Sequence, residues 1–577
     1  MADWFANRNS TIEPTKSSTV DEIPFLSRRS PVVCKNGCVA SSQPLASNIG
    51  VDILKQGGNA ADASIAVAAT LCVTEPCSTG LGGDMFCLYY SSQTKKVTAT
   101  NGSGFSPAAL NLDVLKKAFP DGKGGINDEA FRLSAMAVTV PGAARGYEDL
   151  LLKHGSGKFT LAQLLEPAAK LAEQGFPVGP VTSHHWRAGI AQIKKWIPDG
   201  ERVPLTIDGE NGPKPGELIQ NPDYAKVLRE LGSKGATDGF YNGATGKAIV
   251  EVVQKHGGNM TMEDLAFQTT SFPEPCSAKF RDIELWQVPP NGQGIAGLIA
   301  LKGLAHLEDL EKVKLSPETI GTADAYHPMI EMMRLGFADG RAHVADERFM
   351  TVTVDQLLDD KRIQERAEKL FDPKNAVIAG TPIASSCTVS FQVVDKEGNA
   401  ISFVNSNYMG FGTGIVPQGC GFTLQNRGFG FTLEEGHPNV VAPRKRPYHT
   451  IIPGMITYSD TNELHSTISN MGGNMQPQGH LQLTIDMVAG GLDPQAAIDM
   501  SRFCIADGTK DGMVQIEGGV DEKEIVKLKA MGHKLQDKVV GHARATFGRA
   551  QIIKRDRTNG VLWAGSDGRA DGCAIGY

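Results

Sequence analysis

From Val33 onward the apolar residues switch between helical and strand-like spacing. Gly37 to Ser42 is a short strand-like run that ends in polar residues. Leu45, Ile49, Ile53 and Leu54 then fall on one face of a helix predicted over 44–56, with Gly57-Gly58 as its stop. Asn59 is placed to cap a second helix, 60–71, so rich in alanine that it must pack closely against its neighbours. Thr79-Gly80-Leu81-Gly82-Gly83-Asp84 precedes an apolar strand, Met85 to Tyr90. A glycine cluster can cradle phosphate, but phosphate loops precede helices. The favoured reading is glycines that let backbone layers approach each other.

Helical patterns crowd the first two-thirds of the chain, and short β-like runs dominate after residue 388. Val389 to Val394 is rich in β-branched and aromatic residues and ends at the turn signal Asp395-Lys396-Glu397-Gly398-Asn399. Ala400 to Asn405 follows as a second strand, so the pair predicts a β-hairpin with Thr388 at its start, at the junction of exposed loop and buried strand. Further on, Gln476-Pro477-Gln478 either lines a pocket or begins the helix that runs through Leu481 to Met487.

Composition narrows the class. The chain has 577 residues, which suggests three or four domains unless large α/β layers are shared. Hydrophobic residues make up 41% and charged residues 21%, ordinary for a globular protein. A net charge of −7 argues against a nucleic-acid footprint. No apolar run reaches the roughly 18 residues that would suggest a membrane span. Residues 1–30 are polar, rich in Ser and Thr, and read as a disordered leader without signal-peptide character. The ten cysteines show no paired metal spacing; Cys34, Cys38, Cys72 and Cys77 read as reduced thiols of a cytoplasmic protein.

Thr388 is the candidate of most chemical interest. If the Cys387–Thr388 bond is cut, Thr388 carries both a hydroxyl and a free α-amine, which titrates near ~8. One residue then supplies nucleophile and base together. Taken alone, a threonine opening a strand is ordinary structure.

Longer motifs change the weighting. Gly50-Val51-Asp52-Ile53-Leu54-Lys55-Gln56-Gly57-Gly58-Asn59-Ala60-Ala61-Asp62-Ala63, followed by Leu81-Gly82-Gly83, resembles the gamma-glutamyltransferase (glutathione hydrolase) family. So do Val140-Pro141-Gly142, Leu164-Leu165-Glu166-Pro167-Ala168 and Pro289-Pro290-Asn291-Gly292-Gln293-Gly294. Leu335 to Arg341 and Asp567 to Tyr577 continue the match, which covers about residues 35–577 in the family's order. Several long motifs in register are far more specific than any single one. The pattern is that of a divergent, cytosolic, glutathione hydrolase-like proenzyme branch.

The resemblance implies an α/β fold, the four-layer αββα fold of the N-terminal-nucleophile hydrolases. It also implies a precursor that cuts itself into a large subunit, 31–387, and a small subunit, 388–577, which stay paired. Thr388 is then the nucleophile, and Cys387 and Thr388 flank the cleavage. Cys387 as nucleophile, after cleavage following Ser386, is a rival that the hairpin register disfavours. Met471-Gly472-Gly473-Asn474 falls where the family places its oxyanion hole, which makes Gly472 and Gly473 the candidate donors. No cofactor or metal is implied, since nucleophile, base and oxyanion hole all come from the protein. The expected partner is a small-molecule amide, with neither nucleic acid nor membrane.

Substrate recognition is where this chain departs from the family. Gamma-glutamyl recognition needs a cation for the α-carboxylate and an anion for the α-amine. Where the family has its arginine, the chain reads Asn101-Gly102-Ser103-Gly104, and Gly430 replaces the family's aspartate. Arg427 stands where a neutral amide is more usual. Tyr448-His449-Thr450 replaces the paired serines, Ser406 replaces a threonine and Tyr408 an asparagine. Ser406, Tyr408, Arg427, His449 and Thr450 are therefore the candidate substrate-binding residues. Arg427 and His449 are placed to take a carboxylate, or else to form a structural ion pair and a satisfied core histidine on a strand. Gamma-glutamyl hydrolase or transferase activity on glutathione-like amides is the leading expectation. An amidohydrolase or acylase for small acidic amides such as oxamate is the alternative, and a non-catalytic scaffold the second.

Overall fold

The computed structural model describes residues 29–382, 388–506 and 512–577. Nearly all of the expected leader, and Cys387, lie outside the described residues. The early strands are β1 (Val32–Cys34), β2 (Cys38–Ser41), β3 (Asp84–Ser91), β4 (Lys96–Gly102), β5 (Phe176–Pro177) and β6 (Leu218–Ile219). Then come β7 (Cys276–Phe280), β8 (Ile283–Gln287), β9 (Val389–Val394), β10 (Ala400–Ser406), β11 (Gly454–Tyr458) and β12 (Leu464–Met471). The last are β13 (Phe503–Ile505), β14 (Val514–Glu517), β15 (Leu535–Val539), β16 (Arg549–Arg555), β17 (Leu562–Ser566) and β18 (Cys573–Gly576).

Two large sheets dominate. One has the order β18-β2-β9-β10-β3-β4, and the other β1-β17-β16-β12-β11-β8-β7. The order interleaves the two ends of the chain, because β9 and β10 sit between β2 and β3. Where the sheets face each other they share a core that includes Ala40, Phe86, Leu88, Val404, Met455 and Ile553. The outer face of the six-stranded sheet, with Phe391, Phe403 and Met85, packs under the helices Ala60–Thr74, Ala143–His154 and Leu161–Gln174. The outer face of the seven-stranded sheet, with Leu285, Ile456 and Ile552, packs under Gly294–Asp309, Ala323–His343 and Met475–Val488. This is the αββα stack, and each central strand is buried on both faces, as its run of apolar residues requires.

The predicted elements fall where the spacing puts them. The alanine-rich helix extends to Thr74, and all its side chains are buried. Asn59 closes a capping box with Asp62 at its start. Asp395, in the turn of the β9–β10 hairpin, accepts from the N–H groups of Glu397 at 3.1 Å and Asn399 at 2.9 Å, and its other oxygen caps Ala60 N at 3.0 Å. The hairpin turn thus docks onto the helix above it. Phe391 and Phe403 pair across the hairpin with ring centroids 4.9 Å apart. Truncating either to alanine would cost about 3–5 kcal/mol. The glycine cluster before β3 is a close-packing device, since a Cβ on Gly83 would collide with Ser406 O and one on Gly82 with Thr423 O.

One expectation needs correction. His449 is not on a strand: Pro447 and Pro453 flank it and cannot donate to a ladder, so its segment makes a lone bridge to Gly292. Thr388 immediately precedes β9, and it is fully buried.

Candidate active site

Sheet register alone assembles the centre of the site. Val389 pairs with Asn405 across β9 and β10, so Thr388, one residue earlier, stands opposite Ser406. Ser406 in turn pairs with Asp84, the first residue of β3. Thr388, Ser406 and Asp84 therefore form one row across three neighbouring strands, and residues in one row share a face. That face looks into the space between the sheets: further along it, Gln392 donates to Ser469 of β12 at 2.6 Å. Thr388 Oγ1 lies 3.2 Å from Ser406 Oγ, and all three residues of the row are fully buried.

Arg427 enters this row from the 3₁₀ turn Arg427–Gly430. It donates through Nη2 to Ser406 Oγ at 3.1 Å and through Nη1 to Thr450 Oγ1 at 2.9 Å. Its Nε lies 3.9 Å from Asp84 Oδ2, and its guanidinium stands 4.5 Å from the ring centroid of Tyr408. Burial pushes its pKa down to about 10, against the pull of the Asp84 carboxylate. Tyr408, held at φ 76°, also donates its N–H to Ser406 Oγ at 2.9 Å.

His449 Nε2 is 3.0 Å from Asp84 Oδ2, and its Nδ1 accepts from Ile451 N at 3.3 Å. That pairing assigns the proton to Nε2. Burial, with Arg427 adding to it, pushes the imidazole pKa down to about 3, so the ring is neutral at ordinary pH.

Gly472 and Gly473 occupy the junction between β12 and the helix Met475–Val488, with φ of 131° and 58°. Their carbonyls accept from Met475 N at 3.0 Å and Gln476 N at 3.2 Å, the first bonds of the helix. No described residue accepts from either glycine N–H. Two unengaged amides at a helix N-terminus are the donor type that stabilises a developing oxyanion. Gln293 fixes the loop to the rest of the network, since its Nε2 donates to Gly473 O at 2.8 Å and to Thr450 O at 2.7 Å. Gln476 is helical, and its Oε1 accepts from Ile452 N at 2.9 Å, so it supports the wall of the site.

The structure thus brings Thr388, Ser406, Tyr408, Arg427, His449 and Thr450 into one hydrogen-bonded and stacked cluster, with Gly472 and Gly473 joined to it through Gln293. Sequence reasoning missed Asp84, Gln293 and Gln425, the last of which donates to Asp84 Oδ1 at 2.8 Å. The available signal for Asp84 was an acid closing a glycine run just before a buried strand. A separate cleft of about 350 Å³, lined by Lys279, Glu284, Lys302 and Asp360, shares no residue with this cluster.

The chain is similar to known proteins along nearly its whole length. The family model described as Gamma-glutamyltranspeptidase matches residues 46–577. The glutathione hydrolase-like YwrD proenzyme of Bacillus subtilis is 34% identical over 544 residues, covering 93% of this chain and 98% of the relative. The oxamate amidohydrolase proenzyme of Klebsiella pneumoniae is 29% identical, covering 94% and 99%. The crystal structure of cephalosporin acylase from Bacillus halodurans superposes with a TM-score of 0.85 at 37% identity, covering 98% of this chain and 99% of that one.

Proposed function

Since the chain belongs to the gamma-glutamyltranspeptidase family, we propose that it is a self-processing N-terminal-threonine hydrolase and acyltransferase of gamma-glutamyl amides, with Thr388 as nucleophile. The observation that carries this reading is the row Thr388–Ser406–Asp84 with Arg427 laid across it. In the precursor, Thr388 Oγ attacks the carbonyl carbon of residue 387. The peptide C–N bond breaks, its nitrogen takes a proton, and the acyl group moves to oxygen. Water then hydrolyses the ester, leaving a carboxylate on residue 387 of the preceding segment and freeing the Thr388 α-amine.

In the mature enzyme the same hydroxyl attacks the substrate amide carbon while the α-amine accepts its proton. The oxyanion is stabilised by the N–H groups of Gly472 and Gly473. The protonated amine returns its proton to the leaving amine as the C–N bond breaks. Water, or an acceptor amine, then attacks the acyl-threonine ester and restores Thr388. Hydrolysis and transfer differ only in that last nucleophile. The two segments remain one body, and cysteine usage without paired spacing in the sequence supports a cytoplasmic setting.

A second reading, hydrolysis of small acidic amides such as oxamate, is favoured by one feature. The cation of the site is Arg427, with two Nη groups aimed at Ser406 and Thr450, while Gly430 leaves no acid in its turn for an α-ammonium. The likeness to the oxamate amidohydrolase supports it as well.

The test is intact mass of the purified protein under denaturing conditions. Two species, one beginning at Thr388, are expected, and Thr388→Ala is expected to give one. A wild-type protein that stays full-length on incubation overturns the proposal. Turnover of a gamma-glutamyl anilide against turnover of oxamate then separates the two substrate readings.

A further inference from the structure

Asp84 is built into the site with more care than a packing residue needs. Its Oδ1 accepts from Gly104 N at 2.9 Å, Gly142 N at 3.1 Å and Gln425 Nε2 at 2.8 Å. Its Oδ2 accepts from His449 Nε2 at 3.0 Å and faces Arg427 Nε at 3.9 Å. The two backbone donors reach it because residues 104 and 142 are glycines: a Cβ at Gly104 would strike Val140 O, and one at Gly142 would strike Gly102 O. A buried carboxylate with this many fixed donors is locked in place.

The lock has a direction. Arg427 does not dock its fork on Asp84. It turns only the Nε edge toward the acid, where no hydrogen bond forms, and keeps both Nη groups for Ser406 and Thr450. Asp84 thereby supplies the countercharge that a fully buried guanidinium needs, without competing for the donors that face the nucleophile. The same oxygen holds the Nε2–H of His449, which turns that ring's face toward Phe86, with centroids 4.6 Å apart.

We propose that Asp84 is a positioning residue of the reaction: through Arg427 and His449 it sets the charge and the aim of the pocket in which the acyl group sits. It touches neither Thr388 nor the oxyanion loop, and its effect passes through Arg427 to Ser406. This rests on the reading of Thr388 as nucleophile. It assigns to the site an acid from β3 that stands one strand beyond Ser406.

A double-mutant cycle tests it, with Asp84→Asn, Arg427→Gln and the pair, using kcat and KM on a gamma-glutamyl anilide and on oxamate. The isosteric Asp84→Asn turns an amide toward two donors and removes the charge. It is expected to lower kcat/KM by about 10-fold or more, mainly through KM. In the Arg427→Gln background the same change is expected to cost less than about threefold, because the residue it works through is gone.

Effects that multiply, or an Asp84→Asn enzyme with unchanged KM, overturn the proposal. If Asp84→Asn alone yields no folded protein, the double variant, which removes both charges, is expected to recover it. Failure of the double variant where Arg427→Gln folds also overturns the proposal. Intact mass of every variant keeps the two readings apart: an unprocessed wild type defeats the nucleophile assignment, whereas processed variants without coupling defeat only the role of Asp84.

Discussion

Thr388 and Ser406 face each other from adjacent strands with their hydroxyl oxygens 3.2 Å apart. Ser406 Oγ also accepts from Arg427 Nη2 and from Tyr408 N. The positive potential of a buried guanidinium therefore lies one hydrogen bond from the Thr388 hydroxyl, the proposed nucleophile. Charge-assisted hydrogen bonds are the strong ones, and here the cation reaches Thr388 through a neutral relay.

Ser406→Ala removes that relay and strands a donor of Arg427. Kcat/KM is expected to fall by about 10- to 100-fold, the worth of a hydrogen bond to a charged group. Steady-state kinetics on processed enzyme measures it, with intact mass reporting the processed fraction. A fall below about threefold would leave Ser406 idle in turnover.

Arg427→Ala is expected to raise KM for acidic amides by about 10- to 100-fold, with kcat changing less. Arg427→Lys should recover only part of the loss, because an ammonium cannot hold two hydroxyls as a planar fork does. An unchanged KM in Arg427→Ala would show that the arginine serves only to neutralise Asp84.

Gly472→Ala tests the oxyanion loop. At φ 131° an L side chain is strained, and its Cβ would stand 2.8 Å from Gly548 Cα, so the amide has to shift. Losing one such donor lowers kcat by about 10²- to 10³-fold, with KM little affected. A variant with wild-type kcat would remove Gly472 from the mechanism.

Acid should destabilise the fold through buried histidines that take no part in the proposed mechanism. Burial pushes both His465 and His480 from 6.5 down to about 3. The unfolded chain takes up these protons near pH 6.5, whereas the folded chain refuses them until about pH 3. Their contribution to stability is therefore complete above the upper value and is lost as pH falls toward the lower one, by about 1.4 kcal/mol per pH unit for each histidine. Urea unfolding across this range measures the slope, and His480→Gln should flatten it by one proton's share. Stability independent of pH there would contradict the buried, neutral state of these rings.

Much of this architecture was legible in the linear sequence, for reasons that differ by element. The hairpin around Phe391 and Phe403 announces itself because alternation and a strong turn signal act locally. Thr388 follows from it, as the residue before the first strand. Arg427 and Thr450 stand out because they break an expected pattern. Asp84 was opaque for a physical reason: its role depends on register with Ser406, a residue more than three hundred positions away, and on amides of two glycines that carry no side-chain signal. His449 was placed on a strand because its neighbours are β-formers, but the flanking prolines cannot take part in a ladder.

The interleaved strand order has a consequence for how the protein would come apart. A cut before Thr388 would leave β1–β17, β2–β18, β2–β9, β3–β10 and β8–β11 as backbone ladders between two separate chains. Neither chain would own either of the two large sheets outright, so parting would be melting rather than undocking. The mature pair should show a single transition in which unfolding and separation coincide, with a midpoint that rises with protein concentration, and the parted chains should not recombine as folded bodies do. Processing would then be a one-way step, with the uncut chain serving as the template on which the two-chain enzyme is folded.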